Sequence, residues 1–302
     1  MHSIEARNIS KNYKQISALK NIRFQVAEGE IFGFIGPDGA GKTSLFRILA
    51  TLLLPDSGQG TVCNYDIIKD YKKIRQIVGY MPGKFSLYQD LSVEENLEFF
   101  ASVFGVSVQT NYYLIKDIYT HIEAFKKRRA GHLSGGMKQK LALCCALIHK
   151  PKVLFLDEPT TGIDAVSRKE FWNMLKGLKN EGITILVSTP YMDEASLCDR
   201  VALIQHGKIM KTAGPSQIIS DFKKQLYVIR SQSIYRLIND LEQHPDCHTT
   251  YPFGQEVHFV STKENLNTDA LKAYLEGNNH IDIDIKLSEP TIEDCFMELM
   301  NK

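Results

Sequence analysis

The sequence predicts an α/β fold with a mostly parallel sheet and an inserted helical subdomain, followed by a small C-terminal α+β domain. Three observations carry this expectation. Through the first two thirds, short apolar runs such as "EIFGFIG", "KVLFLDEP" and "ITILVSTP" alternate with helical patterns such as "KTSLFRILATLL". That alternation is interrupted by "LSVEENLEFFASVFGV", where Ser92 and Glu95 form a capping box ahead of a long apolar-periodic helix. Past about residue 221 the pattern becomes strand, helix, strand, strand, helix, strand.

Each element follows from its local pattern. The uninterrupted apolar runs read as strands buried on both faces of a parallel sheet, whose carboxyl ends are where ligands sit. Residues 1–220 are expected to form the first domain, with the helical subdomain at about 85–147. Residues 221–302 are expected to form a ferredoxin-like βαββαβ accessory domain ending in a helix, "TIEDCFMELM". Its last strand is predicted over His280–Leu287, because Ile281, Ile283, Ile285 and Leu287 alternate with His280, Asp282, Asp284 and Lys286.

Composition narrows the classes of function. With 302 residues and 43% hydrophobic content, the chain can bury a core in each of two domains and reads as soluble and globular. A net charge of +1 gives no global field for nucleic acid. Its apolar runs fall far short of the roughly 20 residues needed to cross a bilayer, and "MHSIEARNISKNY" lacks a signal-peptide core. The six cysteines fit no metal-ligand or CxxC spacing and read as buried thiols in a reducing cytosol.

The chemistry lies in three motifs. "GPDGAGKT", Gly36 to Thr43, fits the phosphate-binding loop and stands between a predicted strand and a predicted helix. Its glycines let backbone N–H groups turn toward phosphate oxygens, Lys42 reaches the β/γ-phosphates, and Thr43 binds magnesium. "VLFLDEP" brings Asp157 to a strand tip as a magnesium carboxylate, with Glu158 next to it as a base for water. An acidic pair there is also a plain capping turn. "LSGGMKQK" begins with small residues and Ser134 at a helix start, which suits an anion but also an ordinary capped helix.

Phosphate loop, "LSGGM", "VLFLDEP" and "GIDAVSR" occur together in an order that resembles the ATP-binding cassette (ABC) family of P-loop NTPases, over residues 2 to 215. The resemblance implies two cassettes that sandwich two ATP molecules head to tail. It implies that Gly36, Pro37, Asp38, Gly39, Ala40, Gly41, Lys42, Thr43 and Ser44 hold ATP, with Tyr13 stacked on adenine. Tyr13 also fits ordinary strand-end packing. By the same resemblance Thr43 and Asp157 hold Mg2+, and Glu158 is the catalytic base. Ser134, Gly135 and Gly136 would serve ATP on the partner, and Asp164 would lie in the intersubunit loop.

Within the family, "GYMP", "VEEN", "YMDEA" and the tail "EPTIEDCFMELM" look most like the ATP-binding subunits of multidrug-type exporters. The implied partners are a second cassette and an integral membrane permease, with no nucleic acid. The implied location is cytoplasmic, on the inner face of the cell membrane. Two residues depart from the family pattern. Gly83 stands in "GYMPGKFSLY" where a glutamine is usual, and Pro190 stands in "STPYMDEA" where a histidine is usual. By the same resemblance both losses fall around the γ-phosphate, so the chain's own site is expected to be slow. The chain then resembles the degenerate half of an unlike pair, with a homodimer as the other arrangement; the alternative readings are a soluble ABC protein that works without a permease and an ATP-sensing subunit that does not hydrolyse.

Overall fold

A computed structural model describes residues 2–300 of the chain. The chain divides after Pro215 into two compact units. In the first, the elements run β1 (His2–Tyr13), β2 (Ile16–Ala27), β3 (Ile31–Ile35), α1 (Lys42–Leu49), β4 (Ser57–Val62), β5 (Tyr65–Asp66), α2 (Tyr71–Ile77) and β6 (Val78–Met81). They continue through α3 (Val93–Val103), α4 (Tyr112–Tyr119), α5 (Gly135–Leu147), β7 (Val153–Asp157), α6 (Ala165–Asn180), β8 (Thr184–Thr189), β9 (Arg200–Gln205) and β10 (Lys208–Ala213).

Two sheets build this unit. The central one has the order β10-β9-β3-β8-β7-β6, parallel throughout except for β10 at its edge. Every residue of β3, β7 and β8 is buried, as apolar strands covered on both faces must be. Phe34 on β3 and Phe155 on β7 clamp Phe46 of α1 edge-on, with centroids 6.0 and 6.1 Å away. That contact fixes the helix behind the phosphate loop.

The second sheet, β2-β1-β4-β5, is antiparallel. Reading the first two thirds as a mostly parallel sheet missed it. Ile22, Phe24 and Val26 of β2 are buried while Arg23 and Gln25 are exposed, the period-two pattern of a sheet wet on one side. Between β6 and β7 stand the three helices α3, α4 and α5. Ser92 caps α3 with both halves of the capping box in place: Glu95 N donates to Ser92 Oγ at 3.2 Å, and Ser92 N donates to Glu95 Oε2 at 2.7 Å.

After α7 (Pro215–Ser220), the second unit runs β11 (Leu226–Arg230), α8 (Ile234–Glu242), β12 (Cys247–Phe253), β13 (Glu256–Ser261), α9 (Thr268–Gly277), β14 (Asp284–Ser288) and α10 (Ile292–Met300). Its antiparallel sheet has the order β12-β13-β11-β14. Leu237 and Leu241 of α8 and Leu271 and Leu275 of α9 pack with Tyr227, Ile229, Val257 and Phe259 on one face.

The strand predicted over His280–Leu287 is shorter than expected. It begins at Asp284, and Ile281 and Leu287 are 56% and 64% exposed. Buried His280 is tied into the preceding loop, with Nε2 2.7 Å from Asp240 Oδ2 on α8 and Nδ1 3.1 Å from Ser231 Oγ. Asn279 and Asp282 flank it at φ 59 and 56, left-handed conformations that break an extended strand. A polar anchor overrides the apolar alternation there.

Among the described residues no helix is long and apolar enough to cross a membrane. All six cysteines are free thiols, with Cys144, Cys145, Cys198 and Cys295 buried. Burial pushes the Cys144 and Cys198 thiols well up, away from the reactive thiolate.

Candidate functional site

Residues 36–43 join the carboxyl end of β3 to the start of α1. Gly39 and Gly41 take φ of 77 and 102, open to glycine at little cost. A side chain at Gly36 would begin 2.1 Å from the Ile204 carbonyl oxygen, and one at Gly41 would begin 2.3 Å from Ala18 O. The loop therefore lies directly against the backbone of β9 and β2. Gly36→Ala is expected to lower stability by about 1–3 kcal/mol through this overpacking. Urea unfolding followed by fluorescence of Trp172, the one tryptophan in the sequence, measures it.

Lys42 is buried at 2% exposure and bends back over the loop, donating to Gly36 O at 2.8 Å and Pro37 O at 3.0 Å. Its Nζ also stands 3.2 Å from Glu158 Oε1. Thr43 Oγ1 donates to Asp157 Oδ1 at 3.2 Å, so a hydroxyl and a carboxylate converge beside the loop. Asp38 and Gly39 are exposed, and Ala40 closes the turn by donating to Pro37 O at 3.2 Å. The Tyr13 hydroxyl lies 3.3 Å from Ser44 Oγ, and the residue is 44% exposed.

Sheet order brings the carboxylates here. β7 lies two strands from β3 with β8 between, and the register sets Asp157 opposite Ser188 and Ile35 opposite Thr189. Ser188, which sequence reasoning did not single out, organises both acids. Its hydroxyl donates to Asp157 Oδ1 at 2.7 Å and accepts from Glu158 N at 3.0 Å. Glu158 takes φ 52, a strained left-handed conformation worth about 1–3 kcal/mol, held by that pairing. A polar residue two places before a strand-end proline was the available signal.

The two departures follow the carboxyl ends of β6 and β8. Met81 pairs with Leu156, and a Cβ at Gly83 would lie 3.0 Å from Asp157 O and 3.6 Å from Glu158 Cβ. Pro190 follows Thr189, whose carbonyl accepts Gly36 N at 3.3 Å. Beside Gly83 an apolar groove of about 360 Å³ opens between β6, α3 and α5, lined by Tyr80, Phe85, Phe100, Val103, Phe104 and His149. His149 stacks on Phe104 at 3.7 Å, and its Nε2 lies 3.0 Å from Val78 O. Burial holds the imidazole pKa below its ordinary value, against the opposing bond to Val78 O.

The remaining expected residues sit apart from this cluster. Ser134 caps α5, accepting from Met137 N at 3.4 Å. Gly135 and Gly136 follow, and a Cβ at Gly136 would lie 2.8 Å from Ser167 Oγ. Asp164 caps α6, accepting from Ser167 N at 2.9 Å and Ser167 Oγ at 2.7 Å, bonds that hold its carboxyl below the usual range. Ser134 and Asp164 thus stand at neighbouring helix starts, and they reach neither Lys42 nor Asp157 within the chain.

A family model described as ABC transporter matches residues 19–161. The Nod factor export ATP-binding protein I of Burkholderia lata is 38% identical over 219 residues, covering 72% of each chain. The chain belongs to the ABC transporter family. The probable multidrug ABC transporter ATP-binding protein YbhF of Escherichia coli (strain K12) is 40% identical over 224 residues, 71% of this chain and 38% of that protein. This ABC chain therefore spans well under half the length of YbhF. The linearmycin resistance ATP-binding protein LnrL of Bacillus subtilis (strain 168) is 29% identical over 306 residues, 99% of this chain and 98% of its own. Among solved structures, cbiO1 from Clostridium perfringens, part of the cbiONQ ABC transporter complex, superposes with a TM-score of 0.65. It is 28% identical, over 73% of this chain and 91% of that one.

Proposed function

We propose that this chain is the ATP-binding and ATP-hydrolysing subunit of an export-type ABC transporter, working beside a membrane permease and a second, unlike cassette. The observation that carries the chemistry is the convergence of Lys42, Thr43, Asp157 and Glu158 at the carboxyl ends of β3 and β7. Loop N–H groups and Lys42 hold the β/γ-phosphates, with Tyr13 against the adenine. Thr43 and Asp157 are the oxygen donors that fit Mg2+, which when bound neutralises phosphate charge. Glu158 takes the proton of the attacking water.

Gly83 and Pro190 place no polar side chain where the γ-phosphate and water would lie, so turnover at this site is slow. Ser134, Gly135 and Gly136 then serve the ATP held by the partner, with Asp164 at the seam. In this reading the apolar groove beside Gly83 receives a permease segment, and the chain sits on the inner face of the membrane. The similarity to multidrug, Nod factor export and linearmycin resistance ATP-binding proteins supports export as the direction of transport. Gly83 and Pro190 also favour a second reading, a subunit that senses ATP without hydrolysing it.

The test is ATP hydrolysis by the complex purified with its co-expressed permease and second cassette. Ser134→Arg in this chain is expected to slow the complex about 10²-fold, because it blocks the partner's site. Glu158→Gln in this chain is expected to leave at least half the rate. A homodimer of this chain alone that turns over as fast as the complex overturns the unlike pairing. A complete loss on Glu158→Gln overturns the slow-site assignment.

A further inference from the structure

The stretch after Pro190 is gripped by one arginine of α6, and the grip is incomplete. Arg168 lies one turn into α6, its N–H donating to Asp164 O at 2.9 Å. From there the guanidinium reaches three residues of the following stretch. Its carbon sits 4.4 Å from the centre of the Tyr191 ring, Nη1 lies 3.6 Å from Asp193 Oδ2, and Nε lies 3.9 Å from Glu194 Oε1. Glu194 is 1% exposed, and among the described residues neither its carboxylate oxygens nor Arg168 Nε has a hydrogen-bond partner.

A buried carboxylate and a guanidinium N–H thus face each other at 3.9 Å, just beyond hydrogen-bond reach. Folded proteins rarely leave such groups unmet, because each keeps its desolvation penalty until it is paired. Both ends of the contact are tied to functional segments. At one end is Asp164, whose side chain caps the same helix turn. At the other, Tyr191 N donates to Thr189 Oγ1 at 3.1 Å, and the Thr189 carbonyl accepts Gly36 N of the phosphate loop at 3.3 Å. Pro190, between them, offers neither an N–H nor a polar side chain of its own.

We propose that Arg168 is a positioning residue for ATP hydrolysis: it closes onto Glu194 when a second cassette packs against the Asp164 loop, and so sets the 190–194 stretch beside the phosphate loop. The inference rests on the pairing of cassettes proposed above. The first helical turn carries a displacement of Asp164 directly to Arg168. The guanidinium then moves from the Tyr191 face toward Glu194, where a charge-assisted bond meets two unsatisfied groups at once. Arginine suits this role because its planar fork can stack and pair from one position.

Hydrogen exchange of residues 189–198, measured on the full chain with its partner cassette with and without Mg-ATP, tests the idea beside turnover. In the wild type, pairing is expected to slow exchange there about tenfold, and Arg168→Gln is expected to remove that slowing while the unpaired chain stays folded and keeps its ATP affinity. Arg168→Lys, which keeps the charge and folds, restores less than half of the slowing. Arg168→Gln and Glu194→Gln each slow turnover of the pair by about tenfold, and the double variant is no slower than either, as for residues acting through one contact. Additive losses, slowing retained in Arg168→Gln, or the same losses in the unpaired chain overturn the role of Arg168. Wild-type chains that pair without slowed exchange overturn it while leaving the pairing intact; wild-type chains that never pair overturn both.

Discussion

The Gly83→Gln, Pro190→His double variant is expected to hydrolyse ATP at this chain's own site about 10²-fold faster than the parent or more, the usual worth of a preorganised donor to developing charge. Position 83 is level with the acids: a Cβ built there lies 3.6 Å from Glu158 Cβ, so a glutamine side chain would start beside the Glu158 side chain. The same Cβ falls 3.0 Å from Asp157 O, so the strand must yield by a few tenths of an ångström. Position 190 is the first residue after Thr189, which pairs with Ile35 at the root of the phosphate loop. Either single change is expected to gain less than tenfold, because groups acting on one phosphate work as a unit. Phosphate release by the assembled complex, with the partner cassette's own base replaced, isolates this site. A double variant no faster than the parent would show that the two departures do not limit the rate.

Legibility in the sequence followed the distance over which each feature is encoded. The phosphate loop is a contiguous instruction, in which glycine spacing, Lys42 and Thr43 all fall within eight residues between a strand and a helix. The strand carrying Asp157 was equally plain, since five buried apolar or terminal residues in a row allow little else. What the sequence hid depends on strand order. Ser188 reaches Asp157 only because β8 lies between β3 and β7, a neighbourhood that connects residues 31 apart. Arg168 and Glu194 likewise face each other from two segments that no local pattern joins. The strand at Asp284 was misjudged for a related reason. His280 answers to Asp240 and Ser231, each at least 40 residues away, and those bonds outweigh the alternation around it.

In the second unit, Asp294→Ala is expected to lower stability by about 3–5 kcal/mol, the loss that follows breaking a buried charge cluster from one side. Asp294 is fully buried on α10 and accepts from Tyr251 OH at 2.8 Å, Thr291 N at 2.6 Å and Thr291 Oγ1 at 2.6 Å. His258 Nδ1 lies 2.5 Å from the same carboxylate, and since an ionised carboxylate only accepts, the ring donates from that nitrogen. Removing the acid leaves buried donors from β12 and β13 without an acceptor. Asp294→Asn keeps the shape but turns an N–H group toward donors, so it is expected to recover less than half of the loss. Burial pushes the Asp294 carboxyl up, but the bonds from His258, Thr291 and Tyr251 outweigh it and hold the pKa below the ordinary 3.8. A carboxyl depressed in this way contributes stability above its unfolded value, and that contribution is lost as pH falls through the folded value. The gap in stability between wild type and Asp294→Ala should therefore stay open above pH 3.8 and narrow only below it. Hydrogen exchange of amides in β12, β13 and α10 reads this unit, while Trp172 fluorescence reads the first unit independently. A gap that closes well above pH 3.8, or an Asp294→Ala chain whose β13 amides exchange as slowly as in the wild type, would mean that the buried carboxylate does not hold α10 to the sheet.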